Sequence, residues 1–561
     1  MKHILRHRLF RLSFILCAIF LFNFSTAVAQ IRKISASVTA QGGDQLVTEV
    51  YLPEEEKKYP CILIRTPYGG NNLTRIGEAF ANAGYAVVIQ NVRGTGGSGG
   101  RFLPFVFEMN DGLTTLDWVN IQSWSNGKVG VWGASYLGYC GLLIASSGNP
   151  SIVAGINISG WSDLKSLLWE GGAFRFGDHL PWLIFQMSKS LPPPDALDRI
   201  FRTVPINSIL RGADKQIGLL AGAGFAFDRI NIPVLHVTGW YDYLYGNTLS
   251  TYSSIRNRAS KPAMQKLIIG TWPHNDVFSQ STRAGDEDFG SEARMGFDKM
   301  MALSIRWFDH YLKGIDDSDA REPSVKYFVM GENRWREAQE WPPRNVKCEK
   351  WYLHSKGAAN GLDGSGQLLH KPPCPEGSDQ FIYDPSDPVP TFGGANSHFL
   401  PAILGVKDQR QIEQRKDVLI YTSPPFDKTL TLVGPLRAVI YASTEGKDTD
   451  FTAKLVEVRP DGYARIIEEG ILRGRTLLVN GAKYLTPGQV YKFEIEMGAT
   501  AIQLRRGSRV RLEVSSSNFP KYDRNPSTGE DPILAKDFKA VRQTVYHSSR
   551  YPSHVLLPVM K

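Results

Sequence analysis

Between residues 46 and 272 the chain repeats one pattern, a short run of consecutive apolar positions, then Gly or Pro turn chemistry, then a helix-like stretch. The runs are Tyr59–Arg65, Tyr85–Gln90, Lys128–Trp132, Val153–Ile158, Pro233–Thr238 and Lys266–Ile269. Strands that are apolar at successive positions rather than alternate ones suit a parallel sheet covered on both faces. The pattern therefore predicts a doubly wound α/β domain. The rhythm breaks for about seventy residues, where Asp163–Trp169 and Trp182–Lys189 show helical spacing without strand signal. An insertion there would lie over the carboxyl ends of the strands, where open α/β sheets bind ligands, and is read as a helical cap. After the helix-like Arg294–Leu312, short alternating runs with frequent turns take over from about Cys348. Thr429–Val433, Arg437–Ala442, Thr452–Val458, Tyr491–Ile495 and Arg509–Val514 are examples, and they predict a β-sandwich of jelly-roll type. The expected layout is 30–162 and 228–344 for the two parts of the α/β domain, 163–227 for the cap and 345–561 for the jelly roll.

Composition agrees with this picture. A chain of 561 residues, 42% hydrophobic and 21% charged, is globular and needs more than one compact unit, which excludes disorder, collagen-like repeats and a multi-span membrane protein. Residues 1–29 carry Lys2, Arg6, Arg8 and Arg11, then the apolar run Phe14–Phe22, then Ala27-Val28-Ala29. That is the layout of a cleaved secretory signal, and the run falls far short of the roughly 20 residues a membrane span needs. Export to the periplasm or outside the cell is expected, with no stable membrane span afterwards. Cleavage lowers the formal net charge from +9 to +5, because the segment holds four basic residues and no acidic ones. Arg505, Arg506, Arg509 and Arg511 read as a solvated strand face, so a nucleic-acid partner has little support. Cys61 and Cys140 read as buried small hydrophobes, whereas Cys348 and Cys374 could pair in an oxidising compartment. No ligand spacing suggests a metal, no cofactor is required, and no signal sets an oligomeric state.

The strongest chemical signal is Val129-Gly130-Val131-Trp132-Gly133-Ala134-Ser135-Tyr136-Leu137-Gly138. A strand, a small-residue turn and a helix match a nucleophile elbow, except that the usual second Gly of G-x-S-x-G is Leu137 and a Gly follows at 138. Asp242 follows the apolar run Val234–Val237, and His274 follows Leu267–Ile269. Ser, Asp and His in that order, each at the end of a predicted strand, is the order of an α/β-hydrolase triad. Imidazole can take the Ser135 proton and return it near neutral pH, and Asp242 would orient the ring. His179, His236, His310, His354, His370, His398, His547 and His554 follow no strand in the required place and read as surface or core residues. The N–H of Tyr136 is one expected oxyanion donor, and the loop Arg65–Gly69 offers a second, either a backbone N–H or the Tyr68 hydroxyl.

These residues, with Asn91-Val92-Arg93-Gly94-Thr95-Gly96-Gly97-Ser98-Gly99, Gly239-Trp240-Tyr241-Asp242 and Trp272-Pro273-His274, resemble the cocaine esterase and X-Pro dipeptidyl-peptidase family of serine hydrolases. Trp341-Pro342-Pro343, Asp408-Gln409-Arg410, Asp448-Thr449-Asp450-Phe451 and Ser515-Ser516-Ser517-Asn518-Phe519-Pro520 extend the resemblance over nearly the whole mature chain. It implies an α/β-hydrolase domain, a cap and a carboxyl-terminal jelly roll, the triad Ser135, Asp242 and His274, and the Tyr68 hydroxyl beside the Tyr136 N–H as oxyanion donors. Relatives that bind α-amino esters carry acids just after the triad Asp, where this chain has Tyr243, Leu244 and Tyr245. Ester or amide hydrolysis of an apolar acyl group on a small molecule or short peptide is therefore expected, with Trp169, Phe174, Phe176 and Leu244 as candidate pocket residues. Two alternatives stay open. One is X-Pro dipeptidyl-peptidase activity, for which Glu170 is the candidate amine anchor. The other is a glycan- or peptide-binding protein with a degenerate hydrolase domain, motivated by Asn91 where Asp is expected.

Overall fold

The computed structural model describes residues 31–188, 225–260, 265–316, 323–374, 377–479, 481–532 and 535–561. The segment carrying the export signal and the larger part of the expected cap, 189–224, lie outside the described residues.

Ten strands form the first sheet: β1 (Arg32–Thr39), β2 (Gln45–Leu52), β3 (Tyr59–Thr66), β4 (Ala86–Asn91), β5 (Ser125–Ala134), β6 (Ile152–Ile158), β7 (Val234–Gly239), β8 (Gln265–Gly270), β9 (Val325–Val329) and β10 (Arg334–Ala338). Their spatial order is β1-β2-β4-β3-β5-β6-β7-β8-β9-β10. From β4 across to β9 every pairing is parallel, and the outer pairs are antiparallel. The six apolar runs read from the sequence are the strands β3 to β8. Their consecutive apolar positions arise because alternate residues feed two cores: Ile62, Ile64, Val87 and Ile89 pack into one, and Cys61, Leu63, Ala86 and Val88 into the other. The helices are α1 (Thr74–Asn82), α2 (Glu108–Asn120), α3 (Tyr136–Ala145), α4 (Leu164–Leu168), α5 (Phe176–Ser188), α6 (Tyr245–Arg258) and α7 (Gly296–Phe308). Asp163 caps α4 with its carboxylate, which accepts from the Lys165 and Ser166 N–H groups.

The carboxyl-terminal part is strand-rich, an eleven-stranded sheet running from Val346–His354 to His554–Met560. Thr429–Val433 and Arg437–Ala442, read as separate runs, are one strand, Leu430–Thr444. Gly434 and Pro435 resemble a turn in sequence, but the register shift against His554–Met560, between Leu432 and Arg437, absorbs them as a bulge. The arginine cluster also differs from the expected solvated face. Arg505 and Arg506 are exposed in a turn, whereas Arg511 is mostly buried and pairs with the buried Glu413 at 2.5 Å. The two sheets are joined by backbone: Met330 N–H donates to Ala501 O at 2.9 Å, and Gln503 N–H donates to Met330 O at 2.8 Å. Cys348 and Cys374 are exposed and unbonded, and Cys61 and Cys140 are buried. No helix of the described residues is long and apolar enough to cross a membrane.

Candidate active site

Ser135 stands between β5 and α3 with φ 58° and ψ −124°. A non-glycine residue in this region is strained, and such strain collects at functional turns. Neighbouring glycines make the turn possible. A Cβ on Gly133 would lie 2.2 Å from the Leu137 carbonyl carbon, and one on Gly138 would lie 2.6 Å from Asn157 Oδ1. The close approaches fall at 133 and 138, so the departure from the usual motif costs nothing: Leu137 is buried in the core. Ser135 N–H donates to Ile158 O at 2.8 Å, which ties the turn to β6.

Asp242 and His274 follow β7 and β8, which pair in register up to Gly239 and Gly270. A Cβ on Gly239 would lie 2.2 Å from Trp272 O, so only glycine lets the two turns press together. His274 Nδ1 consequently reaches both Asp242 oxygens, at 2.9 and 3.1 Å, and Asp242 Oδ1 also accepts from Leu244 N–H at 2.8 Å. Both side chains are buried. A carboxylate on Nδ1 fixes the proton there and leaves the Nε2 lone pair free to accept one.

Tyr68 sits in the turn after β3, with its hydroxyl close to Ser135. The Tyr68 oxygen also accepts from Trp182 Nε1 at 3.1 Å. Burial pushes the phenol up to about 12, so it stays a hydrogen-bond donor at neutral pH. The Tyr136 N–H is the first of α3 and has no intrahelical acceptor, as at any helix start. Its ring is pinned, because its hydroxyl donates to Glu108 Oε1 at 2.5 Å and accepts from Phe105 N–H at 3.0 Å. Asn91 braces the Tyr68 loop: its Oδ1 accepts from Gly70 N–H at 2.7 Å while its Nδ2 donates to Gly96 O at 3.0 Å. An aspartate could make only the first of these bonds.

The structure brings Ser135, Tyr68 and Tyr136 together, and separately Asp242 with His274. Tyr243 lies beside the second group, its ring 4.8 Å from that of His274. Of the expected pocket residues, Phe174, Phe176 and Leu244 are buried, and Trp169 is half-buried in a short hairpin with Phe174. Phe176 stacks on Phe519 at 5.9 Å. Trp182 and Phe105, not singled out from the sequence, stack on each other at 6.2 Å and each on Tyr136. Glu170 lies 3.9 Å from Arg175. His398, read as a surface or core residue, instead packs against His274 with ring centroids 5.3 Å apart. Among the described residues no group of three or more His, Cys, Asp or Glu side chains is placed to hold a metal.

Residues 42–276 match the model of the X-Pro dipeptidyl-peptidase (S15 family), and residues 318–556 match that of the X-Pro dipeptidyl-peptidase C-terminal non-catalytic domain. The cocaine esterase of Rhodococcus sp. (strain MB1 Bresler) is 32% identical, over 93% of this chain and 98% of the esterase. Among solved structures, an α-amino acid ester hydrolase superposes with a TM-score of 0.80 at 25% identity, covering 96% of this chain and 98% of its own. An aminopeptidase from the marine sediment archaeon Thaumarchaeota archaeon shares the fold, with a TM-score of 0.81 at 24% identity and the same coverage. The chain belongs to the cocaine esterase and X-Pro dipeptidyl-peptidase family of serine hydrolases.

Proposed function

We propose that the protein is an exported esterase or amidase that works through an acyl-enzyme on the triad Ser135, His274 and Asp242. His274 Nε2 takes the Ser135 proton as Oγ attacks the substrate carbonyl, and Asp242 holds the resulting imidazolium. The tetrahedral oxyanion accepts from the Tyr68 hydroxyl and the Tyr136 N–H. His274 then gives its proton to the leaving group, and water repeats the sequence to release the acid. The observation that carries this reading is the two-oxygen contact of Asp242 with His274 Nδ1, in a chain whose Ser135 occupies a strained turn against Tyr68.

An apolar acyl group is the favoured substrate. Trp169, Phe174, Phe176 and Leu244, with Trp182 beside Tyr68, supply apolar walls. Glu170 does not serve as a free anchor for a substrate amine, because the Arg175 and Lys521 charges already balance it. Burial pushes the carboxyl of Glu468, beside the Tyr245 hydroxyl, well up towards the neutral form. The bracing role of Asn91 removes the motive for a degenerate binding protein. The finer architecture we assign is an α/β-hydrolase domain with a cap that includes α4 and α5, and a jelly roll formed by the carboxyl-terminal sheet.

An active-site fluorophosphonate tests the triad: labelling of the wild type that vanishes in Ser135→Ala is expected, and an unlabelled, folded wild type refutes it. A panel of p-nitrophenyl esters and X-Pro-nitroanilides tests the substrate class, with turnover expected on the esters. Preference for X-Pro amides overturns that choice. Secretion is checked by the mature amino terminus, expected at Gln30.

A further inference from the structure

We propose that His398, contributed by the part of the chain that matches a non-catalytic domain, is a positioning residue for His274; this rests on the triad reading above. The Asp242 bond and the Cβ attachment fix two points of the His274 imidazole and leave its plane free to tilt. His398 supplies the missing restraint, lying nearly flat on that ring with an interplanar angle of 17° at 5.3 Å. Tyr243 completes a triangle, 4.8 Å from His274 and 6.3 Å from His398.

The loop that carries His398 is anchored to the catalytic side. Ser397 N–H donates to Asp178 Oδ1 at 2.9 Å, Asp178 pairs with Arg175 at 2.8 Å, and an Arg175 guanidinium N–H donates to the Tyr243 carbonyl. One buried ion pair thus fixes both rings that bear on the imidazole. The loop is also tied to its own neighbours, since Asn396 Nδ2 donates to Gly393 O at 2.7 Å and Ile403 O at 2.8 Å. His398 Nδ1 is enclosed and has no hydrogen-bond partner among the described residues. An unpaired buried nitrogen costs stability, so at Nδ1 the ring has its stacking and no polar bond to hold it. Burial lowers His398 to about 3, which keeps it neutral beside the imidazolium that His274 becomes.

The test compares wild type, His398→Ala, His398→Phe and Ser135→Ala in the full chain on one p-nitrophenyl ester, with kcat referred to sites titrated by the fluorophosphonate. Loss of the flat ring in His398→Ala should lower kcat and the fluorophosphonate labelling rate by about tenfold with little change in KM, as expected when a base loses its alignment. His398→Phe keeps the flat ring and should restore both to within about threefold. A His398→Ala loss carried by KM alone with an unchanged labelling rate, a kcat within about twofold of wild type, or a Phe variant as slow as the Ala variant each overturns the proposal. Persistent labelling of Ser135→Ala would instead refute the triad.

Discussion

The Trp182 indole N–H donates to the Tyr68 hydroxyl oxygen at 3.1 Å, so the one proton Tyr68 holds is free for another acceptor. As an oxyanion donor, Tyr68 should cost on the order of 10²-fold in kcat when replaced by Phe. Trp182→Phe leaves that donor in place but removes its brace, and about three- to tenfold is expected. Steady-state kinetics on one ester rank the two variants, and equal losses would contradict the arrangement.

The same tyrosine sets an upper bound in pH. Its burial raises the phenol to about 12, so the donating form persists below that value and is lost only above it. No fall in kcat should therefore occur near pH 10, where an ordinary tyrosine ionises at about 10. Up to about pH 11, short of that ionisation, a Tyr68→Phe enzyme should have the same alkaline profile at its lower rate.

Asn91 offers one acceptor and one donor to two loops. Asn91→Asp keeps the bond to Gly70 N–H but opposes a carboxylate to Gly96 O, and about 1–3 kcal/mol of stability should be lost. Chemical denaturation measures it. An unchanged midpoint would mean that the paired loops do not depend on the amide.

Asp379 in the second sheet accepts from Ser355 Oγ at 2.6 Å, Tyr421 Oη at 2.8 Å, Ala359 N–H at 3.0 Å and His547 Nε2 at 2.9 Å. Burial opposes its ionisation, but the bonds from His547, Ser355 and Tyr421 hold the carboxyl below its ordinary value. A lowered carboxyl stabilises the fold above the unfolded value of about 3.9 and loses that contribution as pH falls through the folded one. Asp379→Asn should cost about 2–4 kcal/mol at pH 7. The gap to wild type should close below pH of about 4.

The parallel strands were legible because each carries apolar residues at successive positions, and the Asp242–His274 contact because both residues follow such strands. β1 and β2 lack the doubly buried signature: Arg32–Thr39 is largely exposed along its length, and the first positions of Gln45–Leu52 alternate between buried and more exposed. Leu430–Thr444 was split because Gly434 and Pro435 mean turn or bulge alike until the partner strand Tyr491–Leu504 is known. His398, Trp182 and Arg175 act through partners distant in sequence, and no local spacing encodes such contacts.

The sequence-family boundary at 318 and the sheet boundary do not coincide. The match over 318–556 includes β9 and β10, yet β9 pairs with β8 through Leu267 and Ile269, next to the turn that holds His274. A fragment ending before 318 would expose the backbone edge of β8 to other chains. The unit that is inherited is thus not the unit that can be cut out: transplanting the amino-terminal half alone would carry all three proposed triad residues into a protein prone to edge-to-edge association.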